Sequence, residues 1–131
     1  MRTLIVEDDF TSRIVLQTFL SRYGECHVAV NGLEALDAYV LSVHHGHPYD
    51  LICLDIMMPE MDGQTALNRI REHEEAAGTL WEDRVRVVMT TALDGVKDVV
   101  TAFRGLCDAY ITKPIDGSAL RGQLKNLGLI V

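Results

Sequence analysis

The chain has 131 residues, a length that predicts one domain spanning residues 1–131. Hydrophobic residues make up 48% and charged residues 24% of it, which is typical of a globular domain and argues against disorder. Asp and Glu number 19 and Lys and Arg number 12, so the formal net charge is −7. This charge argues against direct binding to nucleic acid or to an anionic membrane surface, because both attract basic proteins.

No apolar run approaches the ~20 residues that cross a membrane. The first residues lead directly into an apolar run, without the anatomy of a signal peptide. Three scattered cysteines, without a Cys-x-x-Cys pair, predict reduced thiols and a cytoplasmic location.

Apolar runs alternate with helix-like segments along the chain. Short apolar runs predict strands at residues 3–6, 27–30, 51–54, 85–89 and 109–111. Apolar residues at three- and four-residue spacing predict helices over residues 10–23, 33–43, 64–77 and 95–105. Asp116 is the predicted N-cap of a fifth helix. The alternation predicts an α/β fold, (βα)₅, with a mostly parallel sheet and helices on both faces.

Polar residues follow four of the predicted strands. The carboxylates of Glu7 and Asp8 follow the first predicted strand, and that of Asp55 follows the third. The Thr91 hydroxyl follows the fourth strand and the Lys113 ammonium follows the fifth. Because the carboxyl ends of parallel strands meet at one edge, these groups should lie together. Clustered carboxylates repel one another unless a cation sits among them, and hard oxygen ligands suit Mg²⁺. An acidic residue after a strand is often only a helix cap, which is the role predicted for Asp9.

Four motifs in this order resemble the receiver domain of two-component response regulators. They are LIVEDD at residues 4–9, DIMMPEMDG at 55–63, MTTA at 89–92 and AYITKP at 109–114. The resemblance covers essentially the whole chain, and the nine-residue run is its most specific part. It implies a doubly wound, flavodoxin-like sheet of order 2-1-3-4-5. One departure is Glu7, where the family more often has Asp.

The resemblance implies a phosphoacceptor and a magnesium site. Asp55 would accept a phosphoryl group from a sensor histidine kinase or a histidine phosphotransfer protein. Asp8, Asp55 and the Met57 main-chain carbonyl would hold Mg²⁺, with Glu7 acting through an intervening water.

The resemblance also implies a switch. Lys113 would pair with Asp55 and the phosphoryl group, and Thr91 would hydrogen-bond that group. Tyr110 would be an aromatic side chain that rotates in response. The surface of the fourth helix, fifth strand and fifth helix would then change for a downstream protein. A cis Lys113–Pro114 bond is also implied.

Two other functions are alternatives to this one. An aspartyl-phosphate hydrolase would need a second Asp two residues after its nucleophile, and position 57 is Met. A flavin-binding module would need a phosphate-cradling loop after the first strand, where this chain has three consecutive acidic residues. We therefore expect a switch that catalyses its own phosphotransfer rather than an enzyme. The sequence leaves open the kinase, the target, and whether the domain acts alone or within a longer regulator.

Overall fold

In a computed structural model, five parallel strands form one sheet with the order β2-β1-β3-β4-β5. The structure describes residues 1–58, 60–92 and 106–131. The strands are β1 (Arg2–Val6), β2 (Glu25–Ala29), β3 (Leu51–Asp55), β4 (Arg86–Thr91) and β5 (Ala109–Thr112). This order confirms the one that the resemblance implies.

Four α-helices connect or follow these strands in the described residues. They are α1 (Phe10–Leu20), α2 (Gly32–His44), α3 (Gly63–Ala76) and α4 (Gly117–Asn126). The helix predicted over residues 95–105 lies outside the described residues, as does Pro59. α4 therefore corresponds to the fifth helix of the sequence prediction. Carboxylates cap α1 and α4 as predicted, because Asp9 accepts from the Ser12 amide at 2.9 Å and Asp116 from the Ser118 amide at 3.0 Å.

The sheet separates two hydrophobic cores. Along β1, Leu4 and Val6 point into one core and Ile5 into the other, as strand alternation requires. Buried residues of α2 and α3 fill the first core, and those of α1 and α4 fill the second. β3 is buried along its whole length, which explains its continuous apolar sequence before Asp55.

The bounds of β2 and the end of the first helix differ from the predicted ones. β2 begins at Glu25 and ends at Ala29, whereas the apolar run predicted residues 27–30. β2 is one of the two edge strands, and an edge strand can expose polar side chains such as Glu25 to solvent. The first helix ends at Leu20 and tightens into a 3₁₀ turn, Ser21–Tyr23, which Gly24 ends with a φ of 147°.

A buried ionic network ties α3 to the start of β4 and to the residues before β5. The Arg71 guanidinium donates to Glu74 at 2.7 Å and to Asp108 at 3.1 Å. It also donates to the main-chain carbonyls of Val85 and Leu106, each at 2.9 Å. Glu74 accepts the Val85 amide at 2.8 Å, so both partners have several hydrogen bonds. Such satisfaction is what makes a buried charge tolerable.

No helix in the described part of the chain is long and apolar enough to cross a membrane. All three cysteines lie in that part, and each is a free thiol: Cys26, Cys53 and Cys107.

The Arg71 network makes a stability prediction. In Glu74→Gln the buried Arg71 charge loses its closest carboxylate, so the free energy of unfolding should fall by about 3 kcal/mol or more. Glu75→Gln removes the next carboxylate of the same helix, which is exposed, and should change that free energy by less than about 0.5 kcal/mol. Urea denaturation of both variants measures the difference, and equal stability would contradict the structural role of the network.

Candidate phosphoacceptor and metal site

The carboxyl edge of the sheet brings the predicted site residues together. Glu7 and Asp8 follow β1, Asp55 ends β3, Thr91 ends β4 and Lys113 follows β5. β1 pairs with β3, β3 with β4 and β4 with β5, so these positions are neighbours along one edge. Carboxylate oxygens of Glu7, Asp8 and Asp55 all lie within 4.8 Å of one another.

The Lys113 ammonium bridges two of these carboxylates. Its Nζ donates to Glu7 Oε1 at 2.7 Å and lies 3.4 Å from Asp55 Oδ2. The sequence prediction paired Lys113 with Asp55, but it missed the shorter contact with Glu7. These two residues are 106 positions apart, and only their place at the ends of β1 and β5 signalled that they meet.

Burial and mutual repulsion perturb the titration of these groups. The pKa of Glu7 is raised to about 7, and burial is the largest cause. The hydrogen bond from Lys113 lowers this pKa, whereas the negative charge of Asp55 raises it further. Burial also raises the pKa of Asp55, against the pull of the Lys113 charge. Burial by itself lowers the pKa of Lys113, but the contacts with Glu7 and Asp55 outweigh it, so that pKa is raised.

The loop after β3 keeps Asp55 in place. Asp55 Oδ1 accepts the Met57 amide at 3.3 Å, and the Gly63 amide donates to the Ile56 carbonyl at 2.9 Å. A Cβ at position 63 would collide with the Asp55 carbonyl, so only glycine lets α3 start this close to β3. Asp55 is 4% exposed, whereas the Met57 side chain beside it is 79% exposed.

Thr91 and Tyr110 lie on the same face of the sheet. Met89 pairs with Tyr110 and Thr91 with Thr112, and paired residues of parallel strands point to one side. The Thr91 hydroxyl is buried and donates to the Ala92 carbonyl at 3.1 Å. Tyr110 is 37% exposed. The Lys113–Pro114 bond is cis, as the resemblance implies.

The donor set fits a hard divalent cation. Glu7 is completely buried, and its Oε2 has no hydrogen-bond partner among the residues that the structure describes. A buried carboxylate oxygen without a partner is costly in a protein interior. Three carboxylates face one ammonium here, which leaves an excess of negative charge, and oxygen donors are those that Mg²⁺ prefers.

Comparison with known proteins gives relatives in signalling systems. The family model for the response regulator receiver domain matches residues 3–125. The chain is 37% identical to the regulatory protein AtoC of Escherichia coli, over 99% of this chain and 24% of that protein. It is 33% identical to hybrid signal transduction histidine kinase G of Dictyostelium discoideum, over 99% of this chain and 4% of that protein. The chain thus spans less than half of the length of these curated relatives.

Solved structures share the fold. The receiver domain of NtrX from Brucella abortus matches with a TM-score of 0.77 and 25% identity, over 98% of this chain and 99% of that one. The Saccharomyces cerevisiae receiver domain of Ssk1, solved with the histidine phosphotransfer protein Ypd1, matches with a TM-score of 0.80 and 26% identity, over 98% and 88%. The motifs, the strand order and the family match agree: the chain belongs to the receiver domains of two-component response regulators, which are phosphoacceptor signalling domains.

Proposed function

We propose that Asp55 accepts the phosphoryl group, and that residues 1–131 act as one receiver domain. The observation that carries this proposal is the place of Asp55 in the carboxylate cluster. One of its oxygens lies 3.4 Å from the Lys113 ammonium, and the other accepts the Met57 amide. Asp55 thus combines a carboxylate nucleophile with a cation able to neutralise transferred oxygens.

The residues supply positioning and charge for the transfer. An Asp55 oxygen attacks the phosphorus of a phosphohistidine in line; the new P–O bond forms as the P–N bond breaks, and the leaving imidazole takes up a proton. Little covalent help is needed in such a reaction, so orientation and electrostatics dominate it. Lys113 attracts the developing negative charge and holds Asp55 toward β5. Thr91 has a hydroxyl able to donate to a phosphoryl oxygen.

Mg²⁺ is the proposed cofactor of the site. Asp8, Asp55 and the Met57 main-chain carbonyl would hold it, with Glu7 contributing through water. When bound, the ion neutralises charge on the phosphoryl oxygens and favours the ionised form of the carboxylates. The unpartnered Oε2 of Glu7 and the spacing of the three carboxylates support this assignment.

The donor is a sensor histidine kinase or a histidine phosphotransfer protein in this proposal. The match to a receiver solved with a phosphotransfer protein supports it. We class the chain as a switch that catalyses its own phosphorylation and slow dephosphorylation, not as an enzyme with a free substrate. The net charge of −7 argues against direct binding to nucleic acid or membrane, and three free thiols favour the cytoplasm.

The output of the switch is a changed surface around β5. A phosphoryl group on Asp55 adds roughly −1.5 to −2 charges and three acceptor oxygens. Thr91 then exchanges its Ala92 acceptor for one of those oxygens, and Tyr110 turns on the same face of the sheet. This population shift changes the surface formed by β5, α4 and the helix predicted over residues 95–105, and that surface then binds the protein target.

Phosphorylation at Asp55 is the first test of this function. Incubation with acetyl phosphate and Mg²⁺ should add one phosphoryl group, seen as a single mass increase. Asp55→Asn should take up none, because the nucleophile is lost. Asp37→Asn removes an exposed carboxylate of α2 and should behave as wild type. A phosphate mapped to Ser12, Thr90 or Thr91 in the wild type would contradict the mechanism.

The switch makes a separate prediction about Tyr110. Beryllium fluoride, a phosphoryl mimic, should shift the Tyr110 ring signals in NMR spectra of the wild type. Thr91→Ala should abolish that shift, because the hydroxyl that follows the phosphoryl group is absent. Thr90→Ala is the control, since Thr90 pairs with Ile111 and points to the opposite face. An undiminished shift in Thr91→Ala would remove Thr91 from the switch.

A further inference from the structure

Two large apolar side chains are exposed side by side before β4. Leu80 is 61% and Trp81 is 69% exposed, and Trp81 is the single tryptophan of the chain. The 3₁₀ turn Trp81–Asp83 presents them, closed by the Asp83 amide on the Leu80 carbonyl at 2.9 Å. Contiguous exposed apolar surface is a feature of interaction sites, so this adjacent pair is a candidate for one. We call these two residues and the turn the Leu80–Trp81 surface.

Trp81 is held in a fixed orientation. The Arg84 guanidinium carbon lies 3.5 Å from the centroid of the Trp81 ring. Arg84 is itself 3.8 Å from Asp108, and its side chain is 13% exposed. The indole is therefore stacked on a partly buried, paired cation, which preorganises the indole and lowers the entropy lost on binding. Trp81 and Arg84 also line a groove of about 290 Å³, whose wall includes Thr79 and Leu106.

Among the residues that the structure describes, the exposed charged side chains beside this surface are negative. Glu75, Glu82 and Asp83 are exposed, and none of them forms an ion pair within the described residues. The two arginines that line the groove are already paired with buried carboxylates. Phosphate-bearing surfaces would be repelled here. A second copy docked through the same surface is also disfavoured, because its exposed Glu75, Glu82 and Asp83 would face those of the first copy.

The surface lies at the opposite end of the sheet from the phosphoacceptor. The turn Trp81–Asp83 precedes β4, whereas Thr91 ends it, and a strand of six residues extends about 20 Å. A partner on this surface leaves the carboxyl edge open to a phosphodonor. A partner protein and a phosphodonor can therefore bind at the same time.

We propose that the Leu80–Trp81 surface docks a basic, amphipathic segment of a partner protein. Apolar side chains of the segment pack on Leu80 and Trp81, and its Lys or Arg residues face Glu75, Glu82 and Asp83. Tryptophan is among the residues that most often dominate binding energy at interfaces. This site is additional to the proposed phosphoacceptor function and does not depend on it.

The fluorescence of Trp81 tests the proposal directly. The probe is a synthetic 14-residue amphipathic peptide of Leu and Lys, titrated into the unphosphorylated protein. We expect a saturable blue shift of the emission, and no shift with a peptide in which Glu replaces every Lys. Leu80→Ser should weaken the affinity about tenfold, as loss of a central apolar contact does. Glu82→Lys should also weaken it, since the peptide then meets a like charge.

Two matched variants distinguish binding at the Leu80–Trp81 surface from non-specific electrostatic attraction between the Lys peptide and the acidic protein. Leu41→Ser removes a side chain of α2 that is 54% exposed, and Asp37→Lys makes the same change in net charge as Glu82→Lys. Both should bind the Lys peptide as the wild type does. An unshifted emission, wild-type affinity in Leu80→Ser, or equal losses in Asp37→Lys and Glu82→Lys would each overturn the proposal.

Discussion

The contact between the Lys113 ammonium and the buried Glu7 carboxylate is the interaction on which the site depends. It joins the ends of β1 and β5 at 2.7 Å and places the same ammonium 3.4 Å from Asp55. A carboxylate as buried as Glu7 is tolerable only with such a partner. One ammonium nevertheless faces three carboxylates, so negative charge remains at the edge. That residual charge is the physical basis of the Mg²⁺ site that we propose here.

The two ends of the sheet carry different groups of polar side chains. At the carboxyl edge, reactive groups from β1, β3, β4 and β5 converge, because parallel strands end on the same side. At the amino end of β4, the Arg71 network fixes α3 and the chain before β5 by buried hydrogen bonds. The same network contacts Trp81 through Asp108 and Arg84. The fold thus separates the proposed phosphoacceptor from the proposed docking surface by the length of a strand.

The sequence predicted the strand ends more accurately than the contacts between side chains. Asp8, Asp55 and Lys113 follow apolar runs that only a parallel sheet explains, so their convergence could be predicted from periodicity. The start of β2 could not be predicted in this way, because Glu25 belongs to an edge strand whose polar sequence resembles that of a loop. The Arg71–Asp108 pair was also missed: 37 residues separate the partners, and an Arg followed by Glu three positions later resembles an exposed helical pair. Such long-range pairs depend on tertiary packing, which local patterns do not encode.

Binding of Mg²⁺ is the most direct measurement of the residual charge at the carboxyl edge. Calorimetric titration of the unphosphorylated protein with Mg²⁺ should give one site in the wild type. Asp8→Asn should weaken that affinity about tenfold or more, because a charged oxygen ligand is lost. Asp9→Asn is the matched control: Asn caps a helix as well as Asp does, so α1 is kept and the affinity should not change. Wild-type affinity in Asp8→Asn would contradict the account.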